Sequence, residues 1–588
     1  MRNGTASGEV HAGLKFCRQV LHPLITLVAV ACLLSFIGWT SVITEWQHWA
    51  TTAAGVIFGL ERGWVFRVMK PQGKEQRRLG FHALLAALVF ATAAVLLLAP
   101  LSAAGEWSVG GHVFIQLAVF ISGLTSMIHH QKKLTAKAFH PGLVLIGSFL
   151  FIILAGGLLL KMPRCVVPGE SLSWLDAFFT STSAVCVTGL TVQDTATFFS
   201  LTGQSVILLL IQLGGLGIMT LAFFAAVVLF EGLSLHDRLL LGKMIQENRL
   251  ARIGRTLAFI VGMTFVCEGI GMVVLYSGME AIADPQARLF HSGFHAVSAF
   301  CNAGFSTFTD GMASGVVSGN WTWQICIMAL VVIGGLGSLV NEDLSQWTMA
   351  RLKKRLGKSV PQPRLRVHTR LVLLVTGSLI VAGAALVLIT EFHLGDGPEN
   401  GGKIITAAFH SITARTAGFN TVPMAGLNPL TVQILMLLMI IGGSPGGTAG
   451  GLRTTVIAIG LAHLWNQLRI GRRGIVAFNR IIPQETGAQA LGLIVLAGIW
   501  LGANFVLLQV LQAGSGVSET TLFFELISAF ATVGLSLDLT PSLTEGGKAL
   551  LIVNMFVGRI GLLTVMATFI RRDPRPASGK PTENILLN

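Results

Sequence analysis

Four short motifs recur along this chain at nearly equal intervals, each closing on a glycine: Gly189, Gly304, Gly418 and Gly534 lie 115, 114 and 116 residues apart. They read FTSTSAVCVTGLT from Phe179, FHAVSAFCNAGFST from Phe294, FHSITARTAGFNT from Phe409 and FELISAFATVGLS from Phe524. Each holds an aromatic, a Ser-Ala or Thr-Ala pair and the glycine, then Leu or Phe, and the third copy is one residue shorter. A chain that repeats one unit four times folds as four similar parts around something shared. Four membrane hairpins dipping to a glycine are what a single-chain pore needs, because an ion on an axis must be ringed by equivalent backbone oxygens.

With 588 residues, 53% hydrophobic and only 12% charged, the chain is too apolar for a soluble multidomain enzyme. Apolar runs of roughly 18 residues or more, the length that crosses a ~30 Å hydrocarbon core, recur from end to end. The net charge of +14 does not point to nucleic acid, because the basic residues cluster in loops flanking alternate runs. Seven cysteines, an odd number found mostly inside apolar runs, imply no disulfide framework. The polar N-terminus lacks the short basic region of a removed signal peptide, so the first apolar run is expected to stay.

The fold class expected is an all-α polytopic membrane protein. It comprises four tandem span–pore-loop–span repeats in pseudo-fourfold arrangement around one pore, plus about four extra N-terminal spans. First spans are placed near 141–161, 256–277, 369–390 and 488–511, and second spans near 204–230, 321–340, 430–465 and 547–570. The stretch between them is too short to cross, and a re-entrant half-helix is tolerated only where protein or a wet cavity covers its backbone. The N-terminal runs lie near 22–44, 48–66, 80–104 and 112–130. Boundaries follow: an N-terminal extension, 1–140; repeats at 141–235, 236–345, 346–470 and 471–572; and a tail, 573–588. The linker after repeat two carries Arg351, Lys353, Lys354, Arg355, Lys358, Arg364, Arg366 and Arg370, and the next carries Arg469, Arg472, Arg473 and Arg480. Both fall on one side, which is therefore cytoplasmic, as are both termini, and the glycine motifs open outward.

The chemistry expected at the motifs is that of the backbone. A desolvated monovalent cation needs its hydration shell replaced by oxygens, and extended backbone ending in glycine can aim carbonyls at an axis. The four strips are Cys186, Val187, Thr188, Gly189; Cys301, Asn302, Ala303, Gly304; Arg415, Thr416, Ala417, Gly418; and Ala531, Thr532, Val533, Gly534. They hold no Asp or Glu, which favours a monovalent cation over calcium. The half-helices leading in would point their negative ends at the cavity.

A second fourfold feature lies 24 to 30 residues beyond: Gly214 and Gly215, Gly334 and Gly335, Gly442 and Gly443, then Gly558 followed by Arg559. An Arg near mid-membrane costs on the order of 3 kcal/mol unless it meets water or a partner, so Arg559 is expected to face the axis and oppose a permeating cation. A structural pairing with a carboxylate is the alternative. The third copy continues as Gly442, Gly443, Ser444, Pro445, Gly446, Gly447, Thr448, Ala449, Gly450, Gly451, a composition no helix survives. That break is a candidate gate.

These motifs, the GGSPGGTAGG loop and the GRIGLLT around Arg559 resemble the potassium-translocating membrane subunits of bacterial Trk and Ktr systems, nearer the Ktr type, over roughly residues 140–570. The resemblance implies potassium uptake across the bacterial inner membrane, with sodium sometimes involved. It also implies a homodimer and a cytoplasmic ring of Rossmann-type regulatory subunits that bind nucleotide. No strand-flanked GxGxxG occurs here, so no cofactor is expected in this chain and any nucleotide belongs to the partner. The N-terminal extension departs from the family pattern. An ion-coupled secondary transporter of a small solute is the competing function, but such folds use inverted or paired repeats. A membrane-embedded enzyme would have to use His291, His295, His410 or Glu268, and no metal or nucleophile motif accompanies them.

Overall fold

The computed structural model describes residues 45–69, 85–96, 141–217, 253–317, 319–357, 364–391, 400–469 and 475–562, with a few positions between 28 and 119. Most of the expected span at 22–44, parts of those at 80–104 and 112–130, the ends of the second spans beyond 217 and 562, and the tail lie outside the described residues. So do Lys358, Arg472 and Arg473.

The described chain is helical apart from one hairpin, Ile475–Ala477 paired with Arg480–Ile482. Each motif region repeats one succession. A long first helix (Pro141–Leu160, Ile253–Ser277, Val367–Glu391, Gln484–Leu511) is followed by a short helix (Trp174–Val185, Pro285–Phe300, Asn400–Thr413, Glu519–Ala531) and then a second helix (Leu201–Leu216, Trp321–Leu336, Pro429–Ile440, Glu545–Ile560). Their starts are set locally. Ser173, Asp284 and Ser518 cap short helices, and Ser200, Asn320, Asn428 and Thr544 cap second helices, each side-chain oxygen accepting from a first-turn N–H.

Among the described residues, three helices are long and apolar enough to cross a membrane unaided: Thr256–Ser277, Val367–Glu391 and Gln484–Leu511. Their outward faces carry exposed Phe265, Ile270, Val273, Leu374, Val381, Ile389, Val495, Ile499, Val506 and Val510. Large apolar side chains left uncovered along whole helices suit a lipid surround rather than water. Inside, the motif aromatics Phe179, Phe294, Phe409 and Phe524 are buried in every copy.

Two second spans depart from the expected continuous helix. The span at 321–340 stops at Leu336, turns at Gly337 (φ +87°), and restarts as Ser338–Arg355, bent by 106°. The span at 430–465 stops at Ile440 and restarts at Thr454, the break covering the glycine-rich segment. Gly217 (φ +73°) and Gly561 (φ +93°) end the second helices of the other two units in the same backbone region, which glycine enters without a Cβ penalty. Hydropathy is blind to these turns because the residues around them remain apolar.

The units close on one another in sequence order. The second helix of each packs on the short helix of the next: Leu201–Leu216 on Pro285–Phe300, Trp321–Leu336 on Asn400–Thr413, Pro429–Ile440 on Glu519–Ala531, and Glu545–Ile560 back on Trp174–Val185. Lys548 and Asp176 pair at 2.8 Å across that last junction.

Candidate functional site

At the end of each short helix the chain reverses in the same way. Val187, Asn302, Thr416 and Thr532, each two residues before the motif glycine, have left-handed φ of 56°, 59°, 76° and 50°. The residue after each donates its N–H back into the helix end: Thr188 to the Ser183 carbonyl at 2.7 Å, Ala303 to Ser298 at 2.7 Å, Ala417 to Thr413 at 2.9 Å and Val533 to Ser528 at 2.9 Å. The strips are therefore not simply extended, as the sequence reading had it. A left-handed residue satisfies the orphan carbonyls of the helix C-terminus while swinging the chain off the helix axis.

The hydroxyls of the Ser-Ala and Thr-Ala pairs fix the next step. Ser183 Oγ accepts from the Gly189 N–H at 3.0 Å and Ser528 Oγ from the Gly534 N–H at 3.1 Å. Ser298 donates to the Phe305 carbonyl at 2.8 Å, and Thr413 donates to the Phe419 carbonyl at 2.7 Å. Sequence reasoning noted the pairs as part of the repeat and gave them no role, although a hydroxyl at one register position in all four copies was the signal.

Beyond these turns the four glycines meet. A Cβ at Gly189 would strike the Ala303 carbonyl oxygen, at Gly304 that of Ala417, at Gly418 that of Val533, and at Gly534 that of Thr188. The cycle closes after four steps and brings together one backbone carbonyl and one glycine per unit. All four glycines also have positive φ, from 72° to 94°, so both conformation and space exclude a side chain.

Among the other predicted residues, Cys186, Ala531 and Cys301 are buried at the helix ends, with the Cys301 thiol directed at Glu268 Oε1 at 3.9 Å. The Arg415 side chain leaves its strip and reaches the Gly442 carbonyl at 3.5 Å, lining a small cavity with Asn302, Val331 and Gly443. His295, His410 and Glu525 sit behind the strips and bond to Ser306, Thr421 and Ser536. Glu268 accepts from Gln212 at 3.3 Å, a link between units that sequence alone did not suggest.

The glycine-rich segment lies directly against the strips of the second and fourth units and, through Arg559, is linked to the first. Ser444 donates to the Gly335 carbonyl at 3.1 Å, and Ser338 donates to that of Gly446 at 3.1 Å. Thr448 Oγ1 lies 3.1 Å from the Asn302 side-chain amide, while Gly450 and Gly451 press on Thr532 and Ala531. A Cβ at Gly214, Gly334 or Gly558 would strike the Val185, Phe300 or Phe530 carbonyl, which puts Arg559 where the first two units have Gly215 and Gly335. Its guanidinium, half-buried, donates to the carbonyls of Thr448 and Gly214. Among the described residues no carboxylate pairs with it, which sets aside the ion-pair alternative there. Arg453, donating to the Ala449 carbonyl, is a third cation at the segment, after Arg415 and Arg559, and one that sequence reading missed.

Comparison with known proteins bears on this geometry. Residues 109–580 match the family model TrkH, described as cation transport protein. The Ktr system potassium uptake protein B of Vibrio alginolyticus is 35% identical over 447 residues, covering 75% of this chain and 94% of that protein. The potassium/sodium uptake protein NtpJ of Enterococcus hirae is 33% identical, covering 78% and 99%. The crystal structure of the potassium transporter TrkH from Vibrio parahaemolyticus superposes with a TM-score of 0.59 at 18% identity, covering 83% of this chain and 96% of that one, and so shares its fold. With four-fifths of its length inside the family model and relatives at this identity, the chain belongs to the TrkH family of cation transport proteins.

Proposed function

We infer that this protein takes up potassium ions across a membrane as the ion-translocating subunit of a Trk/Ktr-type system. It is a transporter subunit, not an enzyme. The observation that carries the reading is the closed cycle of Gly189, Gly304, Gly418 and Gly534, each set against the next unit's carbonyl. Such a ring offers a dehydrated cation equivalent oxygens from four sides. The strips 186–189, 301–304, 415–418 and 531–534 then form the selectivity filter, and units with the boundaries 141–235, 236–345, 346–470 and 471–572 surround one pore in pseudo-fourfold arrangement. Residues 1–140 add about four spans outside it.

The 442–451 segment and Arg559 form the gate beneath. Backbone that leaves helical geometry at membrane depth must line a cavity or be covered, and this segment is held to the second and fourth units, and to Arg415 of its own, through hydrogen bonds that can exchange for water. The motifs face outward and both termini the cytoplasm of a bacterial inner membrane, in line with the basic residues on the helix 338–355. Relatives named as parts of a Ktr system support further subunits. A homodimer with a cytoplasmic, nucleotide-binding Rossmann-type ring is the assembly proposed, with no cofactor held in this chain. The cycle of four like units gives no support to the solute-transporter alternative, which calls for inverted or paired repeats.

The deciding experiment is uptake of rubidium, a potassium surrogate, into vesicles holding the full chain, with sodium and an organic solute as competitors. Saturable uptake displaced by potassium establishes the reading. Indifference to potassium with uptake of the solute overturns it.

A further inference from the structure

Behind the filter strips, one position on each short helix faces the chain returning outward, and the four units fill it with residues of unequal bonding power. In the fourth unit Glu525, fully buried, accepts three hydrogen bonds: from the Ser536 hydroxyl, from the Leu537 N–H at 3.1 Å and from the Thr540 hydroxyl at 2.8 Å. In the second, His295 has its Nδ1 against the His291 carbonyl at 2.7 Å, which makes that nitrogen the protonated one, so Nε2 accepts from the Ser306 hydroxyl at 3.0 Å. In the third, His410 reaches Thr421 at 3.2 Å and its Nδ1 is unpartnered. In the first, the buried Thr180 hydroxyl has no partner.

We propose that Glu525 is a positioning residue for selectivity: by clamping residues 536–540 to the short helix 519–531, it fixes the radial position of the Thr532–Gly534 strip. The proposal rests on the filter reading above. A ring that must distinguish ions differing by a few tenths of an ångström in radius depends on how firmly each carbonyl is held. Buried hydrogen bonds are a firm restraint on the return chain, since one carboxyl group spans donors at positions 536, 537 and 540. The four units do not carry the same clamp: the fourth holds its return chain through Glu525 on the short helix, whereas in the first Gln204 on the second helix donates to the carbonyls of Thr195, Ala196 and Phe199. Glutamine at 525 would keep shape and volume, but its NH2 would take the place of Oε2, so the Thr540 hydroxyl would lose the oxygen it donates to and could only accept instead.

The test is rubidium uptake by the full-length protein in vesicles, read as the ratio of potassium to sodium in competition, a ratio that a mere loss of folded protein leaves unmoved. Glu525→Gln is expected to lower that ratio roughly tenfold, the worth of one lost buried bond at the filter. Thr540→Ala and Ser536→Ala should shift it in the same direction by less, and combining either with Glu525→Gln should add little. Thr180→Val, whose hydroxyl braces nothing, should leave it alone. If Glu525→Gln fails to insert, the two hydroxyl variants decide by the same criterion. Wild-type ratios in Glu525→Gln, Ser536→Ala and Thr540→Ala, or an equal loss in Thr180→Val, overturn the clamp, provided Gly304→Ser still relaxes the ratio. Wild-type ratios in the serine variants of all four motif glycines, Gly304→Ser included, remove the filter reading itself.

Discussion

Arg559 Nη2 donates to the Gly214 carbonyl oxygen at 2.7 Å, joining the end of the fourth unit's second helix to the end of the first unit's, 345 residues earlier in the chain. The same guanidinium holds the Thr448 carbonyl in the segment beneath the strips. A cation hydrogen-bonded to neutral carbonyls rather than paired with a carboxylate keeps its net charge.

Removing that charge should therefore speed cation flux. A unit charge about 6 Å from an ion, at an effective dielectric near 20, contributes roughly 3 kcal/mol of repulsion, an upper bound of about a hundredfold in rate before screening. Arg559→Ala is expected to raise the initial uptake rate per inserted protein at matched membrane potential, Arg559→Lys to keep much of the restraint, and Arg559→Gln to fall between. Equal loss of flux and stability in the Ala and Lys variants would make Arg559 a structural strut.

Shortening the segment should act in the same direction. Deleting Gly446 to Thr448 removes the carbonyls that hold Ser338 and Arg559, and flux should rise by about tenfold for each 1.4 kcal/mol of barrier removed. The gain should overlap with that of Arg559→Ala, because the two share one bond. An inserted deletion variant no faster than the parent would reduce the segment to a packing kink.

Serine at the four motif glycines should relax potassium preference if they form the proposed filter, with an order set by local space. Each substitution carries a left-handed penalty of about 1–2 kcal/mol. At Gly304 the new Cβ stands 2.9 Å from the Ala417 carbonyl oxygen, whereas at Gly189, Gly418 and Gly534 it lies closer to the facing carbonyl. Gly304→Ser should thus be the mildest in loss of inserted protein and in potassium-to-sodium ratio, both read in the uptake assay. Unchanged ion preference in all four variants would reject the ring.

The pair between Lys548 and Asp176 closes the cycle of units at 2.8 Å, with both side chains largely covered. Lys548→Met should lower the thermal stability of the purified protein by about 2 kcal/mol, between the values for exposed and buried pairs. The charge-swapped double variant Asp176→Lys, Lys548→Asp should recover part of it. Melting curves that do not distinguish the three proteins would show the junction to be held by apolar packing alone.

Much of this was readable from the sequence because repetition is itself a measurement. Four motifs in register announced four equivalent units, and apolar length placed the first helices at 253–277, 367–391 and 484–511 within a few residues of where they stand. Side-chain chemistry also marked Arg559 as the odd member of a glycine series, since a lone charge among glycines in an apolar run demands an explanation.

What only the tertiary structure decided is where the chain turns and what each turn meets. The left-handed residues Val187, Asn302, Thr416 and Thr532 are of three side-chain types, none of them glycine, so no composition rule could find them; the helix end they cap and the hydroxyl beside it impose the conformation. The bend at Gly337 was hidden because Trp321–Leu336 and its continuation are both good helix, and the turn exists to fit against Pro445 and Gly446 of a different unit. The partners of Arg559 were hidden for the same reason. They are backbone carbonyls, which every residue has, and their identity depends on packing between units rather than on any residue type.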